Sequence, residues 1–446
     1  MFGSTIFLVA AALVAPLQVN AKVSTSPLAA SRAPLPLTTS SNVLSLTRTK
    51  FGGGYNSRSA AALLGLAKRP SSKNTATLTS LELGQGFAAE ITFGTETFLA
   101  FVDTGSADTW IVENGFQCLS LDSAPEPEGS CNFGPTYTLS KTFVQTPDEN
   151  FNITYASGEF LNGIIGTEEV TLAGLKVKQI IAVVDYAAWL GDGTTSGLIG
   201  LAYPGITAAW AGTNPALDGT PTGEPVIYNP IFTTMVSDGL IPNLFSLAIE
   251  RDISGPSGYL AFGGLPPVSF DGSFTSTPIL VTTFLNFPVT YLFYTINIDS
   301  VLLHGKPAPG SGGPGVQYVY DSGTTQNYLP SSVSQAFNAA FDPPAVYNPD
   351  DGNYYVACNA SKPALDIIIG GTKFDTNPLD LILLYGLDAN GNDVCITGVT
   401  DGGSDASVDI YVLGAAFQKN VVSVFDVGAA ELRLAAREHY VSNDPV

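Results

Sequence analysis

The sequence predicts a mostly β protein made of two equivalent lobes related by a pseudo-twofold axis. Three observations carry that expectation. Turn formers are abundant, with 46 Gly and 30 Pro among 446 residues. The apolar runs are short, β-branched and aromatic, and Gly, Asn and Asp separate them. The stretch VDTGS at 102–106 is echoed by YDSGT at 320–324, each closing an apolar run. A second landmark is duplicated as well: Leu198-Ile199-Gly200 follows the first motif and Val412-Leu413-Gly414 the second. Asp103 lies 97 residues before Gly200, and Asp321 lies 93 before Gly414. Two landmarks in the same order at nearly the same separation mark an internal duplication.

The elements follow in chain order. TIFLVAAALVAPL, then Val19-Asn20-Ala21, has the apolar core and small-residue cleavage site of an export signal over 1–21. That core is too short to span a bilayer, and LDLILLYGL near residue 379 is shorter still. The expectation is a secreted, extracellular protein with no membrane anchor. Residues 22–69 hold Lys and Arg but no Asp or Glu and end at the dibasic pair Lys68-Arg69, as a removable basic propeptide would. From residue 80 onward FAAEITFG, ETFLAFVD, FNITYASGEF and EVTLAGLKVKQIIAVV read as strands. LPSSVSQAFNAAFDPP, with Pro330 at its start and Pro343-Pro344 beyond its end, reads as a helix. Residues 244–264 read as a hairpin, which places an N-terminal lobe over 80–265 and a C-terminal lobe over 266–446.

Charge narrows the function. The net charge is −21, and residues 1–69 contribute seven positive charges, so the remainder stands at −28. Phosphate neutralisation needs the opposite sign, so nucleic acid is not an expected partner. A surface with only 13% charged residues suits acid, where carboxylates lose their charge. Opposite charge would also draw the basic segment to the body, and acid would weaken that attraction. Four cysteines in an exported chain read as two disulfides. Three connectivities are open; one pair per half gives Cys118–Cys131 and Cys358–Cys395. Only His304 and His439 are present, and the cysteine spacing does not suit a metal site. Asn152 and Asn359 match the glycosylation pattern.

Asp is rarely buried alone at the end of an apolar strand, because an unpaired buried carboxylate is costly. Equivalent loops of two facing lobes meet at the axis, which pairs Asp103 with Asp321. Two carboxylates that close share a proton, so one acts as base while the other acts as acid. A water between them can be deprotonated as it attacks a carbonyl, while the protonated Asp donates to the carbonyl oxygen. That chemistry requires no cofactor. Gly105 and Gly323 permit close approach of the loops. Thr104 and Ser322 can bond across the axis, and Ser106 and Thr324 can donate to the outer carboxylate oxygens.

With VDTGSADTW, YDSGTTQ and the two apolar-apolar-Gly landmarks, the chain resembles the pepsin-like aspartic endopeptidases, particularly secreted fungal members, over about residues 80–435. The resemblance implies a zymogen, a long cleft and a β-hairpin flap, protein or peptide substrates, pepstatin-type inhibitors and cleavage between large apolar residues. In ITYASGEF it assigns Tyr155 as the flap tyrosine, Trp110 as its hydrogen-bond partner, and Ser157 and Gly158 as donors to substrate backbone. Three positions depart from the pattern. Ala107 stands where a second Ser is common, Ala156 replaces a flap Gly and is expected to stiffen the tip, and FGTETFLAF shortens the loop before the first motif. A monomer is expected. Two alternatives carry different tests: a non-catalytic binder on the same fold would show no proteolysis, and a paired-carboxylate glycosidase would want a cleft dense in Trp, whereas three Trp exist. Trp189 and Leu190 read as core.

Overall fold

The computed structural model describes residues 33–50, 80–81, 85–220, 222–251, 257–281, 290–349, 351–388, 390–404, 409 and 411–437. The signal-like segment 1–21 and the pair Lys68-Arg69 lie outside the described residues, as do residues 22–32 and 51–67 of the expected propeptide. The protein is mostly β, with 46% strand against 9% helix.

The duplicated landmarks turn out to be neighbours in space. Strand Gly197–Gly200 runs parallel to Glu96–Asp103, with Gly200 opposite Asp103, and antiparallel to Thr109–Cys118 on its other side. In the second half Tyr411–Leu413 runs parallel to Gln317–Tyr320, with Leu413 opposite Tyr320, and antiparallel to Asn327–Leu329. Each landmark strand is thus slotted between the strand that enters an Asp loop and the strand that leaves it. The glycine ending each landmark is required by that threading. A Cβ at Gly200 would sit 2.4 Å from the Ala107 carbonyl carbon, and one at Gly414 would sit 2.2 Å from the Gln326 carbonyl oxygen.

The strands around Glu96–Asp103 belong to a ten-stranded sheet of the first half, and Gln317–Tyr320 belongs to a five-stranded sheet of the second. A six-stranded sheet joins the halves in the order Asn42–Ser45, Gly258–Phe262, Phe245–Ile249, Val421–Asp426, Glu431–Ala436, Thr275–Pro278. It draws on both sides of residue 265. Its core is aromatic: Phe245 stacks on Phe425 at 4.5 Å, and Tyr294 meets Phe425 edge-on at 4.6 Å. All three are fully or almost fully buried, each such side chain stabilising the fold by about 1.5–3 kcal/mol.

The expected hairpin forms from Phe245–Ile249 and Gly258–Phe262, and the expected helix spans Ser331–Ala339, burying Val333 and Phe337. Two strands were not expected. Asn42–Ser45 adds to the joining sheet along Gly258–Phe262, and Thr47–Lys50 adds to the edge strand Gln85–Phe93. Between them Leu46 is fully buried, its amide donating to the Gly258 carbonyl at 2.8 Å. This part of the basic segment is therefore held by backbone ladders and apolar burial, and not by charge alone. Ser, Thr and Asn give the segment no alternating apolar pattern, so only its neighbours' free edges decide its conformation. No helix among the described residues is long and apolar enough to cross a membrane.

Candidate active site

Asp103 and Asp321 are buried at the ends of their strands, 8% and 2% exposed. Each carboxylate is held by its own loop in the same way. Asp103 Oδ1 accepts from the Gly105 amide at 2.7 Å and Oδ2 accepts from the Ser106 hydroxyl. Asp321 Oδ1 accepts from the Gly323 amide at 2.8 Å and Oδ2 from Thr324 Oγ1 at 2.6 Å. The loops also clip onto the landmark strands: the Ala202 amide donates to the Ser106 carbonyl at 2.9 Å, and the Ala415 amide to the Thr324 carbonyl at 2.7 Å.

Across the axis the two loops interlock. The Thr104 amide donates to Ser322 Oγ at 3.1 Å, and the Ser322 amide donates to Thr104 Oγ1 at 2.9 Å. The hydroxyls pass the contact on, Thr104 Oγ1 to the Tyr320 carbonyl at 3.1 Å and Ser322 Oγ to the Val102 carbonyl at 3.0 Å. The carboxylates consequently face each other over the opposite glycines. A Cβ at Gly105 would come within 2.6 Å of Asp321 Cγ, and one at Gly323 within 2.4 Å of Asp103 Oδ1. Only glycine leaves room for the pair.

Burial pushes the Asp321 carboxyl well above the usual carboxylate range, and the adjacent Asp103 charge adds to the rise. Thr324 and Gly323 pull the other way, while a hydrogen bond with Asp103 reinforces the protonated form. Two carboxylates this close share a proton, and such a pair can present an acid and a base to the same atom.

Residues 86–437 match the model of the eukaryotic aspartyl protease family. The chain belongs to that family. It is 47% identical over 394 residues to a protein named probable aspartic-type endopeptidase from Aspergillus fumigatus, covering 88% of this chain and 87% of the relative. It is 27% identical to rhizopuspepsin-4 of Rhizopus niveus over 78% of this chain and 77% of that one. It is 23% identical to gastricsin of Rattus norvegicus over 78% and 80%. The activity is that of an aspartic-type endopeptidase.

The flap-like hairpin of this aspartyl protease is formed by Val144–Thr154 and Phe160–Leu172, with Tyr155–Glu159 turning between them. Trp110 Nε1 donates to Tyr155 Oη at 2.8 Å. Burial raises the Tyr155 phenol well above 10, with the Asp103 and Asp108 charges adding to it, so the phenol is neutral at any working pH. Trp189 meets Tyr155 edge-on at 5.7 Å and Trp110 at 5.2 Å, and stacks on Phe133 at 6.1 Å. The core residue Trp189 is thus also part of the wall beneath the flap. Ser157 and Gly158 use their donors inside the hairpin: Ser157 Oγ bonds Glu159 Oε2 at 2.8 Å, and the Gly158 amide bonds the Tyr155 carbonyl at 2.9 Å. Gly158, at φ 88°, takes the left-handed position of the turn, so Ala156 is not asked to. Ala107 is fully buried, and Ser106 supplies the donor to the outer Asp103 oxygen.

Two carboxylates of the protease site escaped the sequence reading. Asp108 accepts from the Ala208 amide at 3.0 and 3.2 Å and from Tyr228 Oη at 2.5 Å, and burial raises its pKa to about 6. Glu159 bridges the flap to Leu190. Their signal was the residue type itself, an acidic side chain beside a glycine-rich functional loop; their partners lie 100 and 31 residues away.

Both disulfides pair as expected, Cys118 with Cys131 and Cys358 with Cys395. The two asparagines differ. Asn359 is exposed beside Cys358. Asn152 lies within a strand, its amide nitrogen donating to the Pro215 carbonyl at 3.0 Å and to Asp218 at 3.1 Å, and its oxygen accepting from Asn162 at 2.8 Å.

Proposed function

We propose that the protein is a secreted endopeptidase, made as a zymogen, that hydrolyses peptide bonds in acid with Asp103 and Asp321 as its catalytic pair. The observation that carries this is the interlocked, doubly buried pair of carboxylates, with that of Asp321 raised by burial and by the Asp103 charge. Asp103 takes a proton from a water lying between the carboxylates as that water attacks the scissile carbonyl. Asp321 donates its proton to the carbonyl oxygen, giving a neutral tetrahedral intermediate. Return of the proton held by Asp103 to the departing nitrogen breaks the C–N bond. The dyad then regains its single proton when Asp321 recovers one as the carbonyl re-forms. Hydrogen bonds from Gly105, Ser106, Gly323 and Thr324 fix both carboxylates without further reorganisation.

Half-buried Phe133 and Tyr155, backed by the buried Trp110 and Trp189, support a preference for large apolar side chains near the scissile bond. Secretion rests on the export-signal pattern, and the zymogen on the basic segment ending at Lys68-Arg69. Pepstatin-type inhibitors fit the same cleft in this reading, and the enzyme acts as a monomer. Cleavage of an unfolded protein across pH 2–8, with and without pepstatin, tests it. Cleavage confined to acid, blocked by pepstatin and abolished by Asp103→Asn and by Asp321→Asn is the expected result. Substantial turnover by either folded variant would overturn the dyad.

A further inference from the structure

Beside the backbone pairing of Phe160 with Ala188, two side chains at the flap tip, Tyr155 and Glu159, bond to the first half among the described residues. The first is the neutral Tyr155 phenol, which accepts from Trp110. The second is Glu159, which follows the turn glycine Gly158. Its Oε1 accepts from the Leu190 amide at 2.8 Å, and its Oε2 accepts from Ser157 Oγ at 2.8 Å. Leu190 lies just beyond strand Leu175–Ala188, next to Trp189 of the aromatic wall. One carboxylate therefore spans from the flap tip to the wall beneath it.

We propose that Glu159 is a positioning residue of the flap, an ionised latch that ties the tip to Leu190 and loosens when its carboxyl takes up a proton. This rests on reading the hairpin as the cover of the substrate cleft. A carboxylate accepts both donors with charge assistance, which makes such bonds roughly twice as strong as neutral ones. A neutral carboxyl keeps its carbonyl oxygen for the Leu190 amide and can turn its hydroxyl to donate to Ser157 Oγ, so both contacts persist but without charge assistance. The tie to Leu190 is then weaker, while the Tyr155 bond and the pairing of Phe160 with Ala188 remain. At the acid pH where the dyad works the flap is loose enough to admit substrate, and near neutral pH it is fastened.

The surroundings let the switch operate near neutral pH. Burial raises the Glu159 carboxyl to about 7 against the pull of Leu190 and Ser157, and no charged side chain contributes to that shift. From the flap itself the titratable neighbour is Tyr155, which stays neutral. From the loop after Leu175–Ala188 it faces uncharged Trp189 and Leu190. Asp192 follows, its Oδ1 capped by the Thr194 and Thr195 amides and by Thr195 Oγ1. From strand Thr109–Cys118 the residue in this assembly is Trp110.

Amide hydrogen exchange at Leu190 and over residues 155–160 tests the latch in the full chain, compared at matched pH from 5 to 8. In the wild type, protection at Leu190 should fall about tenfold from pH 8 to pH 5, with its midpoint near 7. Glu159→Gln keeps an acceptor but cannot ionise, so its protection should not depend on pH. Glu159→Ala should lack the protection at every pH. In kinetics, KM of the wild type should change across pH 5–7 in a way that Glu159→Gln abolishes, with kcat following the dyad in both. Wild-type protection independent of pH, or the same transition in Glu159→Gln, overturns the proposal. Exchange does not depend on turnover, so an inactive protein with an intact Leu190 transition would sink the protease reading and leave the latch standing. A Glu159→Ala chain that fails to fold still leaves the isosteric Gln variant to decide.

Discussion

Thr104 and Ser322 exchange hydrogen bonds across the pseudo-twofold axis, each backbone amide donating to the other residue's hydroxyl at 3.1 and 2.9 Å. Both residues are buried, at 0% and 2% exposure, so neither amide has water as a substitute. The contact couples the positions of the two carboxylates, because each residue directly follows its aspartate.

Removing either hydroxyl should therefore cost more than a surface bond would. Thr104→Ala leaves the Ser322 amide without its partner, and Ser322→Ala does the same to the Thr104 amide. Each should destabilise by about 1–3 kcal/mol, the usual cost of an unsatisfied buried group. Thr104→Ser should recover most of that loss. Thermal denaturation checks the stability, and kcat should fall with it as the dyad loosens.

Stability should decline as pH rises. The Asp108 pKa stands at about 6 in the folded protein against an ordinary value of 3.8, so the native state keeps a proton that the unfolded chain has released. Stability from this group is complete below about pH 4 and is lost as pH climbs to about 6, amounting to ~3 kcal/mol for a two-unit shift. Asp108→Asn removes the penalty of ionising a buried group. One amide oxygen can accept from both Ala208 and Tyr228, since Oδ1 already takes both. The variant should match the wild type at pH 4 and exceed it at pH 7 in denaturant melts. A variant less stable than the wild type at pH 7 would contradict this.

Glycan should be found on Asn359 and not on Asn152, whose amide is engaged on both its nitrogen and its oxygen inside a sheet. In protein expressed through a glycosylating secretory route, Asn359→Gln should abolish a mass shift that Asn152→Gln leaves in place. Mass spectrometry of the glycopeptides decides it.

Processing gives a fourth expectation. Lys68→Ala combined with Arg69→Ala should accumulate an unprocessed chain, mostly latent at neutral pH. N-terminal sequencing that still begins near residue 70 would rule out cleavage at the pair. The contacts of residues 38–46 include backbone ladders and the buried Leu46, which acid does not remove, so weakened charge attraction alone should not release this segment.

Much of the centre was legible in the sequence because it is local and written twice. Asp103 and Asp321, the glycines two residues on, and the hydroxyls beside them sit within four residues of one another in each half. The landmarks ending at Gly200 and Gly414 announced the duplication before their threading was visible. The strands Asn42–Ser45 and Thr47–Lys50 were not legible, since one holds only the adjacent pair Val43-Leu44 and the other no apolar residue, so neither shows a period, and their partners lie about 40 to 220 residues away.

By itself, then, the sequence determined the β class, the two halves and the candidate dyad residues, all of which follow from composition, repetition and order along the chain, while the structure settled which of three cysteine pairings forms. Tertiary structure decided that the Asp321 carboxyl is raised, because that depends on burial and on a charge brought from the other half. It also decided that Asp108 and Glu159 are perturbed, that Trp189 joins the wall under the flap, and that the basic segment is woven into two sheets. Each of these is set by a partner distant in sequence, whose distance and desolvation exist only once the chain has folded.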